Sequence, residues 1–132
     1  MIVVDTTVLA ALMIEPTIPE PVEELRYRDS KWAAPDLWRH ELINVAWKYI
    51  RTDQLTVAAA SDILVETELI MHPRTFRVSP ALVLSTALEF GISAYDAHFA
   101  ALAREMNTTL YTHDRALIDC CPDIARHPES VA

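Results

Sequence analysis

Four carboxylates occur where a chain of alternating strands and helices would bring side chains to one edge. Asp5 ends the stretch MIVVD, Glu41 lies within APDLWRHELINVAW, Asp96 within SAYDAHF and Asp114 ends TLYTHD. Oxygen is a hard donor, and a set of carboxylates without His or Cys suits Mg²⁺ or Mn²⁺ better than zinc. If the acids converge, two carboxylates about 4 Å apart repel by roughly 4 kcal/mol at an effective dielectric near 20. That equals about three pKa units, enough to draw a proton or a cation into the site. Magnesium held by one or two carboxylates keeps waters and open positions, as attack on a phosphodiester requires.

Each acid also has a purely structural role open to it. Asp5 and Asp114 precede helices and could cap them. Ser93-Ala94-Tyr95-Asp96 has the form of a capping box, with Asp96 reaching back to the cap amide. Glu41 could be an ordinary solvated helix residue. The neighbours favour chemistry. Thr7 lies two residues after Asp5 and Thr112 two before Asp114, each supplying a hydroxyl to orient an acid or a water. Asn44 follows Glu41 by three residues on the same helix face. Ala100 and Ala103 lie one and two turns beyond Asp96, small enough to let that helix press against a sheet.

The elements that must position these groups follow from hydrophobic spacing. IVV (Ile2–Val4) reads as a buried strand and Thr7–Ile14 as the helix after it. EPTIPEP is a proline-rich loop leading into a short polar helix, Val22–Arg28. KWAAP is a second strand, and the helix after Asp36 carries Leu42, Val45, Ala46 and Tyr49 at helical spacing. Thr56–Met71 is a helix opened by a capping Thr, and TFRV is a third strand. Ser79-Pro80 opens a helix that runs to Gly91. Ser93–Met106 is the next helix, Thr109–Thr112 a fourth strand, and Arg115–Cys121 a short helix. The closing PDIARHPESVA either adds a short edge strand or trails off. Strands alternating with helices specify an α/β fold with a mainly parallel sheet of four to five strands, spanning residues 1–132 as one domain. In such sheets ligands gather beyond the carboxyl ends of the strands, where Asp5 and Asp114 stand.

Composition narrows the chemistry further. The 132 residues are 52% hydrophobic and 23% charged, the balance of a compact domain with a real core. The longest apolar run, Val8–Ile14, is far short of the roughly 20 residues of a membrane span. The amino terminus lacks a basic region before its apolar stretch, so the expectation is a cytoplasmic protein without a signal peptide or membrane contact. A net charge of −8 disfavours broad electrostatic attraction to nucleic acid and suits a basic partner, or bound cations that reverse the local sign. Gly91 is the only glycine, which excludes a P-loop, a dinucleotide fingerprint and a Gly-x-Ser-x-Gly elbow. Cys120 and Cys121 are adjacent and lack zinc or redox spacing, so they read as reduced packing residues.

The segments VVDTTVLAAL, APDLWRHELINVAW and SAYDAHFAALAREMNTTLYTHDRAL resemble the motif blocks of PIN-domain nucleases, in particular the VapC-like toxins of prokaryotic type II toxin–antitoxin modules. The resemblance spans nearly the whole chain, and its most specific part is Tyr-Asp-Ala followed by Thr-x-Asp. It implies a three-layer α/β/α fold with Asp5, Glu41, Asp96 and Asp114 as the catalytic, metal-binding acids. Thr7 falls where the family has a hydroxyl or amide assisting the first acid, and Thr112 matches its Thr-x-Asp hydroxyl. The family further implies Mg²⁺- or Mn²⁺-dependent endonucleolytic cleavage of RNA, a homodimer, and an antitoxin whose carboxyl-terminal segment covers the acidic groove. Some relatives carry a further acid beyond the fourth; here Asp119 is the nearest, which leaves one cation or two open.

Positive residues must meet the phosphates, and Arg115 and Arg39 lie closest in sequence to the acids, followed by Arg104. His113 reads as a loop histidine with substrate contact as the alternative. His98 is about 200° round the helix from Asp96 and is expected to face elsewhere. His40, His72 and His127 read as surface. The alternative function is a PIN-fold module that no longer cuts and only binds a partner protein or RNA. Two other Mg²⁺-dependent phosphotransfer folds fit poorly. Thr7 occupies the place of the second Asp of a haloacid-dehalogenase-type phosphatase, and Lys31 and Lys48 both come too early for a receiver domain.

Overall fold

Val3 and Val4 are fully buried in β1 (Ile2–Val4), where branched side chains fit a pleat covered on both faces. The computed structural model describes residues 1–131. After β1 come α1 (Thr6–Met13), α2 (Glu20–Arg28), β2 (Trp32–Pro35), α3 (Trp38–Arg51) and α4 (Val57–Met71). A 3₁₀ turn then leads into β3 (Thr75–Phe76), α5 (Pro80–Phe90) and α6 (Ala94–Glu105). The chain closes with β4 (Leu110–Tyr111), α7 (Arg115–Cys120), β5 (Ala125–Arg126) and a second 3₁₀ turn. Helix α2 starts two residues before the expected Val22, because Pro21 fits the first turn, where no amide partner is needed. β3 and β4 are shorter than TFRV and TLYT suggest. β3 keeps two rungs on β2, and β4 keeps two on β1, so each strand ends where its pairing does.

The five strands lie in the order β3-β2-β1-β4-β5, and every pairing is parallel. The closing segment does add an edge strand, β5. From β1 the chain builds outward through β2 to β3, then returns to lay β4 on the other side of β1. Strand order therefore reverses between β1 and β4, and at such a switch point the loops after the two strands part and leave a crevice. Val4 is level with Tyr111 across that junction, so Asp5 and Thr112 leave the sheet side by side. The Asp5 amide donates to the Tyr111 carbonyl at 3.1 Å and fixes this register.

Helices cover the sheet as a three-layer α/β/α domain. α6 packs on β1, β2 and β4, and α5 packs on α6. Ala97, Ala100, Ala101 and Ala103 are buried along α6, and their small side chains let it lie close to the strands. Trp32 and Trp38 are the largest fully buried side chains. The Trp38 indole donates to the Thr75 hydroxyl at 3.0 Å, tying α3 to β3.

The start of α6, which carries Asp96, is set by how α5 ends. Gly91 caps α5 in the left-handed region at φ 65°, and two residues later the Ser93 hydroxyl accepts from the Asp96 amide at 3.1 Å. A Cβ at position 91 would meet no atom within 4 Å, so only backbone strain opposes a side chain there. Gly91→Ala is expected to cost about 1 kcal/mol and to lower Tm by roughly 3–5 °C. A thermal melt that shows no loss would mean that the loop can abandon the left-handed turn.

Candidate active site

Asp5 joins the end of β1 to the start of α1, and every part of its carboxylate is engaged. Oδ1 accepts from the Thr7 hydroxyl at 2.5 Å and from the Val8 amide at 3.3 Å; Oδ2 accepts from the Thr112 hydroxyl at 2.5 Å. The residue is only 7% exposed. Burial pushes its pKa up, and the Thr112 and Thr7 hydroxyls pull part of that shift back. Asp5 thus caps α1 and is at the same time a buried carboxylate held at the sheet edge.

Thr112 links the two sides of the switch point. While donating to Asp5, its oxygen accepts from the Asp114 amide at 3.0 Å, and the His113 amide donates to the Thr7 hydroxyl at 3.0 Å. Asp114 caps α7, accepting at Oδ1 from the amides of Ala116 and Leu117 at 3.0 and 3.2 Å. Its other oxygen accepts no hydrogen bond among the described residues.

Glu41 is held by a residue that its sequence neighbourhood does not reveal. Thr6 donates to Glu41 Oε1 at 2.7 Å and so docks α1 on α3. Burial raises the Glu41 pKa most, with Asp5 and Asp96 adding to it and the Thr6 hydroxyl opposing. Asp96 is raised by burial first and by the Asp114 carboxylate second, with Ser93 opposing. The electrostatic links thus run from Asp5 to Glu41, from Glu41 to Asp96 and from Asp96 to Asp114.

None of these four acids forms an ion pair among the described residues, whereas Glu24, Asp29, Glu68, Glu89 and Glu129 all do. Among the described residues no three His, Cys, Asp or Glu side chains close round one point. The acids therefore form a strip and not a cage. An unpaired, oxygen-only strip in which Asp5, Glu41 and Asp96 have raised pKa values fits a hard divalent cation that keeps most of its water.

A cavity of about 450 Å³ opens beside the strip, lined by Thr6, Thr7, Glu41, Asn44, Lys48 and Tyr95 among others. A second, of about 590 Å³, shares Thr7 and Val45 with it and continues past His113 and His127. Asn44 lines the first and makes no hydrogen bond through its side chain among the described residues. Lys48 and Tyr95, to which the sequence assigned no role in a site, and His40, expected as surface, line that cavity too. The available signal was spacing, since residues 41, 44 and 48 recur on one face of α3.

The arginines lie differently from expectation. Arg39 grips both oxygens of Glu68 on α4, with its nearest contact at 2.6 Å, and lies over the Trp38 ring. Arg104 pairs with Glu89, and Arg115 faces Glu129 at 3.4 Å. Arg39 is thereby held at the α3–α4 contact, away from the acid strip. His98 Nδ1 lies 2.6 Å from the Ala94 carbonyl, and the ring is near enough to Glu41 to favour the charged carboxylate. The proposed capping box is half made: Ser93 accepts from Asp96, but the Asp96 carboxylate makes no return bond to the Ser93 amide. Asp119 is exposed on α7. Cys121 is buried, donates to the Leu117 carbonyl at 3.1 Å, and is pushed up to about 11, chiefly by burial, as befits a packing residue.

Comparison with known proteins agrees with this arrangement. The PIN domain profile matches residues 2–121. The chain is 31% identical to Ribonuclease VapC3 of Pyrobaculum aerophilum over 126 residues, 92% of this chain and 95% of that protein. The crystal structure of PAE2754 from Pyrobaculum aerophilum superposes with a TM-score of 0.76 at 28% identity, covering 98% of this chain and 91% of the other. The FitAB structure bound to an IR36 DNA fragment superposes at 0.74 with 16% identity, covering 97% and 95% of the two chains. With its strand order, its acid-lined switch point and these matches, the chain belongs to the PIN-domain family.

Proposed function

We propose that this protein is a metal-dependent endoribonuclease acting as the toxin of a type II toxin–antitoxin pair. The observation that carries the reading is the strip of four carboxylates at the switch point, none of them neutralised by a neighbouring cation. The similarity to a protein named a ribonuclease supports RNA as the substrate. Asp5, Glu41, Asp96 and Asp114 would hold Mg²⁺ or Mn²⁺. A bound divalent cation supplies a water of lowered pKa and a counter-charge for the phosphate oxygens.

The chain's own residues have separate tasks. Thr7 and Thr112 hold the Asp5 carboxylate in one orientation, so it needs little reorganisation as charge develops nearby. Thr6 does the same for Glu41. Asp114 keeps one oxygen free of its capping bonds among the described residues, which leaves it a lone pair for a cation. The whole of residues 1–132 acts as a single domain in the cytoplasm, and works as a homodimer.

The partner is an antitoxin whose basic carboxyl-terminal segment lies over the acids. The net charge of −8 supports this, because a basic segment would be drawn to the same acids as the metal. Such a segment would compete with both metal and RNA for the same charge.

The test is incubation of the purified protein with an end-labelled RNA pool of mixed sequence, in Mn²⁺ and in EDTA. Internal cutting that needs the metal is the expected result. Intact RNA under both conditions, together with tight capture of the pool, would support a binding module without catalysis.

A further inference from the structure

We propose that the cavity between α3 and the first turn of α6 is a nucleotide subsite, seating one base on Tyr95 and an adjoining backbone phosphate against Lys48. The inference rests on the RNA-cleaving reading above and assigns residues that the reading does not use. Lys48 lines the cavity two turns beyond Glu41 and forms no ion pair among the described residues. Arg39, Arg104 and Arg115 each face a carboxylate instead. Unlike those three arginines, Lys48 has its charge uncommitted among the described residues, and a lysine ammonium binds phosphate as a point charge.

Tyr95 immediately precedes Asp96 and is 65% exposed, so most of its ring is open to the cavity mouth. An exposed ring beside a cation is how single-stranded nucleic acid is held, because every base offers a face for stacking. Asn44 and His40 line the same cavity and can donate to or accept from a base edge. Glu41 and Thr7 form the wall toward the acid strip, so a nucleotide seated here delivers its neighbouring phosphate to the acids. A basic peptide would meet Lys48, and an acidic one would meet Glu41. A nucleotide, with a neutral base and a charged phosphate, matches both ends.

The experiment measures polarisation of a fluorescein-labelled, mixed-sequence RNA 8-mer bound to the Asp96→Asn protein, so that cutting does not interfere. Lys48→Gln, Tyr95→Ala and Tyr95→Phe are added to that background. Both side chains are exposed, and unchanged melting curves check that the fold persists. Tyr95→Ala is expected to weaken binding roughly 5- to 150-fold, and Tyr95→Phe to restore it. Lys48→Gln is expected to reduce the slope of log affinity against log salt by about 0.7. Equal affinity and slope across the set would overturn the subsite, as would an RNA that fails to bind while an arginine-rich peptide does. Cleavage of the pool by the parent protein separates the two readings: cutting with no effect at Lys48 or Tyr95 removes the subsite alone.

Discussion

Asp96→Asn is expected to lower metal-dependent RNA cleavage roughly a hundredfold or more while leaving the melting temperature without metal unchanged or slightly higher. The two halves of this result come from opposing effects at one position. Asp96 lies in the first turn of α6, where the helix dipole favours a negative charge by about 0.3–1 kcal/mol. Burial and the Asp114 carboxylate act the other way, and they win, because the Asp96 pKa is raised. Neutralising the side chain thus relieves the apo protein. The Ser93 cap survives, since its donor is the Asp96 backbone amide. The same substitution removes one negative wall of the strip, so the rise in Tm on adding millimolar Mn²⁺ should shrink. Full cleavage in the variant would remove Asp96 from the site. A large fall in Tm without metal would recast it as a structural residue.

How much of this was legible depends on whether the partners of a residue are near it in sequence. Asp5, Thr112 and Asp114 lie next to strand ends, and hydrophobic runs mark those ends well. Their convergence needed only that β1 and β4 pair, as a parallel sheet with short loops allows. Glu41 is different. Its anchor, Thr6, is 35 residues away, and no periodicity announces that α1 docks on α3. Arg39 misled for the same reason: its nearest acid in the fold is Glu68, contributed by α4 from 29 residues further on. Lys48 was visible in the spacing of α3, yet a lone lysine on an exposed face looks like solvated surface until the cavity is seen.

Thr112→Val should lower Tm by roughly 5–15 °C at neutral pH, and the deficit should narrow as the solution is acidified. Valine preserves the shape but removes the hydroxyl that donates to Asp5 Oδ2 and accepts from the Asp114 amide. Hydrogen bonds to a buried charged group contribute about 1.5–3 kcal/mol, and this is the bond that most opposes the desolvation of Asp5. Asp5, Glu41 and Asp96 all have pKa values raised above their ordinary 3.8, 4.5 and 3.8. Between those values and the raised ones the folded chain binds more protons than the unfolded chain, so these acids make stability fall as pH rises through that window. Above it the acids are ionised in both states and their contribution is flat. Losing the Thr112 hydroxyl raises Asp5 further, which widens the window and steepens the loss toward neutral pH. Once Asp5 is protonated, the missing donor matters less, because a neutral carboxyl is far cheaper to bury than a carboxylate. Melting curves of the parent and Thr112→Val proteins in EDTA, taken from acid to neutral pH, measure this directly. A deficit that stays constant with pH would mean that Thr112 acts through packing and the Asp114 amide, and that the Asp5 charge is held by other groups.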